Sequence, residues 1–389
     1  MPRTIVTMTP LRAAFVMEQT LGHVTHGQNL RQVLAGRADV VPTWLPIPFQ
    51  VAGAGSVLPL WRSNWSVRAG WRGRLALSRA MRTQPYAAAF FHTQVVSLFS
   101  VGLMKRLPSV VSLDATPINY DSVGEHYGHR PAGDGLLDRQ KYRLNRQVFH
   151  TAAALISWSE WARRSLIDDY GVHGEKVRVL APGAAPAYFE IGQRRVEAEQ
   201  AAGEAQGEGQ RKVRLLFVGG DFRRKGGPFL LEALRGPLTE CCELHVVTRD
   251  EVPAQPGVHV HHGLGPNSQA LRQLFATADV FVLPSLADCL AVVLMEATAA
   301  ALPVITTGVG ALPEAVREGE SGLVVAPGDA ADLARAVTAL VDDAGRRRRM
   351  GRAGYALAQE KFNAARNNRA LLDLLVEVAQ TWRGWRKAA

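Results

Sequence analysis

"VRLLFVGGDFRRKGG", residues 213–227, sets a run of strand-forming side chains against glycines and three consecutive cations. Val213, Leu215, Leu216, Phe217 and Val218 have the composition of a buried parallel strand. Gly219 and Gly220 permit a tight turn and close backbone approach to a ligand. The following "GPFLLEALRG" reads as a helix with Pro228 in its first turn and Gly236 beyond its end. A strand, a glycine turn and a helix N-terminus aim free N–H groups at one spot, the arrangement of an anion site. Arg223, Arg224 and Lys225 add charge there. A solvated basic turn at a helix start is the alternative reading of these residues alone.

Strand-like and helix-like segments alternate on both sides of this stretch, which predicts an α/β fold with parallel sheets. Upstream, the strand candidates are 13–18, 87–92, 109–114, 153–159 and 176–183. Downstream they are "VRLLFVG", "CELHVVT", "GVHVHH", "VFVLPS", "LPVITT" and "GLVVAP". Residues 192–212 are polar and rich in Ala, Gly, Glu and Gln, as a linker is. The predicted organisation is an N-terminal Rossmann-like domain (1–190), a linker (191–212) and a C-terminal Rossmann-like domain (213–362). A C-terminal helix (363–389) is placed to pack back on the first domain. At 389 residues the chain suits about two to three domains. Two doubly wound sheets facing each other across a cleft bind ligands at the carboxyl ends of their strands.

A second constellation follows, "VFVLPSLADCLAVVLMEATAAALPVITTGVGALPEAV". Asp288 is expected at the start of a helix running through "CLAVVLMEATAAA", where the dipole favours a carboxylate. Glu296 is expected two turns in, on the same broad side. A carboxylate can accept two hydroxyl hydrogen bonds, the way proteins hold sugars and riboses. The alternative is a capping Asp and a surface Glu.

The net charge of +10 is uneven: residues 1–195 hold 23 Lys/Arg and 12 Asp/Glu, residues 196–389 hold 22 and 23. No acidic residue lies between Asp39 and Asp114, a stretch that carries Trp61, Arg62, Trp65, Arg68, Trp71, Arg72, Arg74, Arg79 and Arg82. Such a basic, Trp-bearing stretch suits an anionic membrane surface, where each cation contributes about 1 kcal/mol and Trp sits at the interface. An arginine-rich chain with its tryptophans in the core is the alternative. No nucleic-acid motif is present. The cysteines are Cys241, Cys242 and Cys289, with no metal-ligand spacing, which reads as buried free thiols in a reducing cytoplasm. No charged-plus-apolar leader and no charge-free run of 18 apolar residues is visible. The expected location is cytoplasmic, peripheral on the inner face of the membrane.

Together these residues carry a resemblance. The chain resembles the retaining glycosyltransferases of family 4, which have the GT-B fold. The likeness is strong over 213–363, through "FVGGDFRRKGG", the Asp288-to-Glu296 spacing, "ALPVITTGVGALPEAV" and "ESGLVVAPGDAADLARAV", and weaker through "LGHVTHGQNL" and "ISWSEWARRSLIDDYGVHGEKVRVLAPG". It implies a hexosyltransferase in which Lys225 neutralises the donor diphosphate, Glu296 grips the ribose and Asp288 contacts the donor sugar. The amides of Cys289, Leu290 and Ala291 fall beside the β-phosphate. Gly22 lies in the N-terminal loop that approaches the donor, and Asp114 lies near the sugar. The chain departs from the family pattern at four places. Gly220 stands where the family has an arginine, so Arg223 or Arg224 is the expected substitute. Asp288 replaces a glutamate, Leu290-Ala291 replaces Phe-Gly, and Asp114 replaces a histidine.

No D-x-D occurs, so metal-independent transfer is expected, with no cofactor beyond the nucleotide-sugar co-substrate. His23, His92 and His126 are candidate sugar or acceptor contacts. The histidines show no zinc spacing, and His261 and His262 read as surface residues. The expected partners are a nucleotide-sugar donor, a sugar or lipid acceptor and an anionic membrane surface, with no nucleic acid. Two other readings remain open. One is a non-catalytic GT-B subunit that scaffolds a partner transferase. The other is a GT-B nucleotide-sugar epimerase.

Overall fold

The computed structural model describes residues 10–49, 64–124, 133, 135–202 and 211–388. Two six-stranded sheets follow one another along the chain. The first comprises β1 (Leu11–Gln19), β2 (Val40–Pro48), β3 (Ala88–Phe91), β4 (Ser109–Leu113), β5 (Ala154–Ser157) and β6 (Val177–Val179), in the order β2-β1-β3-β4-β5-β6. The second comprises β7 (Val213–Val218), β8 (Cys242–Val247), β9 (Val258–His261), β10 (Val280–Leu283), β11 (Val304–Thr307) and β12 (Gly322–Val325), in the order β12-β11-β10-β7-β8-β9. All the pairings are parallel. The chain order reverses between β1 and β3 in one sheet and between β7 and β10 in the other. A crevice opens at such a reversal, outside the strand carboxyl ends.

The central strands are covered on both faces and so read as continuous apolar runs. Ala13, Ala14, Phe15 and Val16 are fully buried, as are Val280 to Leu283 in β10. β2 is absent from the strands expected from sequence because it contains Pro42, Pro46 and Pro48. The prolines stand at alternate positions of an edge strand, so their missing N–H groups share its open side.

The polar stretch expected to be linker from 191 begins inside a helix, Pro186–Ala202. Its Ala, Glu and Gln content favours helix. Gly192 brings it against the second domain, since a Cβ there would lie 2.1 Å from the Ala299 carbonyl oxygen. Arg195 anchors it further, donating to the carbonyls of Phe275, Ala276 and Ala278 at 2.9–3.2 Å. Residues 203–210 of the stretch lie outside the described residues.

The C-terminal helix, Ala364–Ala388, returns to the first domain. Leu371, Leu372, Leu375 and Ala379 are buried in one cluster with Phe15, Met17, Leu30 and Phe90. The return starts at Gly183 (φ +72°), where a Cβ would press on Phe362 and Ala364, and Ala184 donates to the Phe362 carbonyl at 2.7 Å. A second link joins the halves. The Glu314 carboxylate of the second domain accepts from the backbone N–H groups of Glu160 (2.8 Å) and Trp161 (2.7 Å), at the N-terminus of the helix Glu160–Asp168. That helix end favours a negative charge.

Candidate functional site

β7 and β10 end side by side, and their following turns interlock. Gly226 takes φ +78°, and a Cβ there would lie 1.9 Å from the Pro284 carbonyl oxygen. Only glycine fits this approach. Arg224 is buried and braces the two turns. Its Nη1 donates to the Ala287 carbonyl (2.6 Å) and its Nε to Asp221 (3.1 Å), while its own carbonyl accepts from Leu286 N–H (2.9 Å). These contacts hold the turn in shape, and the guanidinium charge still reaches Cys289. Arg223 is exposed.

Lys225 pairs with the Asp288 carboxylate, both side chains largely buried. Asp288 does not start a helix, as expected from sequence. It sits in an extended turn, and the helix begins four residues later, Val292–Ala299. That places Glu296 in the helix's second turn. Among the described residues, the amides of Cys289, Leu290 and Ala291 donate to no protein group. The turn after β10 thus carries three unpaired N–H donors next in sequence to the Lys225–Asp288 pair. The Cys289 carbonyl is held by Ala311 N–H (2.8 Å), beside Gly310 (φ +55°), whose Cβ would strike the Asp288 carbonyl. Burial, then Asp114 and Asp288, push the Cys289 thiol up, so it is neutral.

Glu296 is buried, and burial lifts its carboxyl to about 7, opposed by the neighbouring Tyr188 hydroxyl. Its helix is apolar on every side, the signature of a fully buried helix.

Arg249, unremarked in the sequence, lies beside Gly220. A Cβ on Gly220 would lie 2.9 Å from Arg249 Nε, and that Nε donates to the Gly220 carbonyl at 3.3 Å. A Cβ on Gly219 would instead meet the Lys225 side chain at 3.0 Å. The two glycines thus seat two cations around one turn. Arg249 follows β8, and Gly220 follows β7, its parallel neighbour. The only sequence signal was "VVTRD", a strand ending in a cation.

Across the crevice stand residues of the first domain. Gly22 faces Val292, since a Cβ there would lie 3.7 Å from its Cγ2. His23 lies 3.9 Å from Asp114, and burial pushes the Asp114 carboxyl up while His23 opposes the shift. His92 is fully buried, and its Nε2 meets His26 Nδ1 at 2.8 Å. His26 Nε2 in turn meets Asn368 Oδ1 of the C-terminal helix at 3.1 Å. Burial lowers His26 to about 4 and His92 well below its ordinary value. Trp158 packs on His23 and His26 with ring centroids 5.0 and 5.2 Å away. Glu18, buried at the end of β1, accepts from Thr20, Thr93 and Trp65. His126 lies outside the described residues, as do Trp61 and Arg62.

The basic stretch divides by burial. Arg68 is buried, with its guanidinium over Trp65, and Arg72 and Arg74 donate to the carbonyls of Pro48 and Phe99. Trp71, Leu75, Arg79 and Arg82 remain exposed along one stripe of the helix Trp65–Thr83. Cys242 and Cys289 are buried as expected, whereas Cys241 is exposed. No helix among the described residues is long and apolar enough to cross a membrane.

Residues 212–343 match the family described as Glycosyl transferases group 1. The D-inositol 3-phosphate glycosyltransferase of Geodermatophilus obscurus is 30% identical over 277 residues, 60% of this chain and 59% of that protein. The MMP alpha-(1->4)-mannosyltransferase of Mycolicibacterium hassiacum is 28% identical over 240 residues, 59% of this chain and 54% of that protein. The matches thus span less than two thirds of these relatives' length. Among solved structures, the sucrose-phosphate synthase of Thermosynechococcus elongatus superposes with a TM-score of 0.70 at 17% identity, over 98% of this chain and all of that one. Anabaena HepE in complex with UDP-glucose gives 0.65 at 16%, over 94% of this chain and all of that one. The two-sheet architecture is the GT-B fold.

Proposed function

We propose that this chain, a member of glycosyl transferases group 1 through residues 212–343, moves a hexosyl group from a nucleotide-sugar to an acceptor hydroxyl. The observation that carries the reading is the convergence of Lys225, Arg249, Asp288 and the amides of 289–291 on one strand edge, opposite Gly22, His23 and Asp114.

In the proposed reaction the bond from the sugar's C1 to the β-phosphate oxygen breaks and a bond from C1 to the acceptor oxygen forms. The acceptor proton passes to the departing diphosphate. Lys225 and Arg249 offset the charge that develops there. Preorganised cations of this kind are typically the largest single source of rate. Transfer without a metal is part of the proposal, resting on these cations and on the lack of a D-x-D. Asp288 accepts from sugar hydroxyls and Glu296 from the ribose. Asp114 and His23 orient the acceptor side, held by the buried His26–His92 pair. Retention of anomeric configuration follows from attack on the face the leaving group vacates.

The acceptor is proposed to lie at an anionic membrane surface, met by Trp71, Leu75, Arg79 and Arg82. The scaffold and epimerase readings gain no specific observation.

The test is thermal stability against UDP, GDP, ADP and dTDP and their sugar conjugates, with UDP-glucose first because HepE was solved with it. A ligand at about 100 times its Kd adds roughly 2.7 kcal/mol. One clear hit, lost in Lys225→Ala, supports the reading. Sugar release from that donor only when acceptor is present excludes the epimerase. No hit across the panel turns the weight to the scaffold.

A further inference from the structure

The sequence shows no zinc spacing, yet strand pairing assembles one out of residues far apart in the chain. β8 and β9 run parallel with His245 opposite His259 and Val247 opposite His261. Side chains two apart on a strand share a face. Glu243 and His245 of β8 and His259 and His261 of β9 therefore stand on one side of the sheet's edge. One ligand atom each from Glu243, His245 and His259 lies within 4.8 Å of the others.

From this geometry we infer that Glu243, His245 and His259 form a binding site for a divalent transition-metal ion of the zinc class. His245 Nε2 and Glu243 Oε1 are 3.5 Å apart. Two ligands of a tetrahedral ion at about 2.0–2.1 Å stand about 3.4 Å from each other, so this pair already has the required spacing. The Nε2 is buried and donates to no protein group. The other ring nitrogen, Nδ1, meets His261 Nε2 at 3.0 Å. A ligating histidine normally holds its second nitrogen this way, which fixes its ring. Arg214 of β7 pairs with the same Glu243 Oε1, so an ion there shares that oxygen with the guanidinium. The His245 ring is stacked on those of His259 and His261, at 5.0 and 5.3 Å. Two imidazoles and a carboxylate suit Zn2+ and its neighbours rather than Mg2+ or Ca2+.

Such an ion ties the edge strand β9 to β8. Arg249 lies just beyond the end of β8, so the ion steadies the strand that carries a donor-edge cation. The inference does not depend on the proposed sugar transfer, and its test uses no sugar.

The test uses the untagged full chain, stripped with chelator and titrated with Zn2+ by calorimetry. Co2+ is followed by its visible ligand-field absorption. The expected result is one saturable equivalent and a raised Tm with Zn2+. His245→Ala and His259→Ala each weaken binding more than tenfold, and His261→Ala, which frees the His245 ring, weakens it about tenfold. His262 bonds the Thr248 carbonyl instead, and Cys241 is an exposed thiol, so His262→Ala and Cys241→Ser leave the affinity unchanged. His259 is exposed, so its substitution leaves the core intact. Absence of saturable binding overturns the site, as does a His259→Ala chain that binds Zn2+ as tightly as wild type.

Discussion

Lys225 and Asp288 are ion-paired across the mouth formed by the ends of β7 and β10. A diphosphate and a carboxylate therefore compete for one ammonium. Lys225→Ala is expected to lower the transfer rate by about 10²–10³-fold, the typical loss for one preorganised donor. Asp288→Asn should leave nucleoside diphosphate binding equal or tighter and weaken the intact sugar donor. Comparing Kd for the diphosphate and for its sugar conjugate separates the two effects.

Arg249 occupies the space that a side chain on Gly220 would fill. Arg249→Ala should weaken diphosphate binding by about tenfold, the loss of roughly one charge-assisted contact. Gly220→Arg alone collides with the Arg249 guanidinium. In the Arg249→Ala background that space is open, and the double variant should recover affinity relative to R249A. If R249A binds like wild type, the cation pairing around Gly219–Gly220 is not used.

Glu296 has its carboxyl raised from 4.5 to about 7. The folded chain then holds this proton more tightly than the unfolded chain, so the stability due to Glu296 falls as pH rises from 4.5 to 7. Glu296→Gln removes the titration. It should exceed wild type by on the order of 3 kcal/mol above pH 7 and match it near pH 4.5. Urea unfolding at pH 5 and pH 8 reads the difference. Donor binding should weaken in the same variant.

His26 titrates in the opposite sense. Its value falls from 6.5 to about 4 on folding. Its contribution is complete above pH 6.5 and is lost as pH falls toward 4, because the unfolded chain takes up the proton first. A Tm that declines over this range, with a weaker decline in His26→Asn, is the expected outcome.

Trp71, Leu75, Arg79 and Arg82 form the exposed stripe proposed to meet a membrane. Flotation with anionic vesicles at low salt should recover the chain. W71A/R79A/R82A should stay in the soluble fraction, and 0.5 M salt, roughly a 4 Å screening length, should release the wild type.

All six strands of the second sheet are legible because each is an apolar run or an apolar–polar alternation bounded by glycine, proline or a polar turn. Gly219 to Lys225 and Asp288 to Glu296 are legible because their chemistry is contiguous. β2 is not, because three prolines hide an edge strand whose outer N–H groups are not needed. Arg249, Asn368 and the His245–His259 pair escape for another reason. Each meets its partners through strand order or through the returning helix, and neither is written in local spacing. Arg224 shows the converse: its charge is legible at the turn, but its burial and its bond to the Ala287 carbonyl are not.

Because Leu371, Leu372 and Leu375 of the C-terminal helix belong to the same core as Phe15 and Phe90, the first domain is the last to be finished. On the ribosome its sheet emerges early but waits, with one face uncovered, until the second domain has been made. The second domain has its strands contiguous in sequence and can close first. The order of completion is thus the reverse of the order of synthesis. Truncation within 364–379 should strike the folding of the N-terminal half, the half most distant from the cut along the chain.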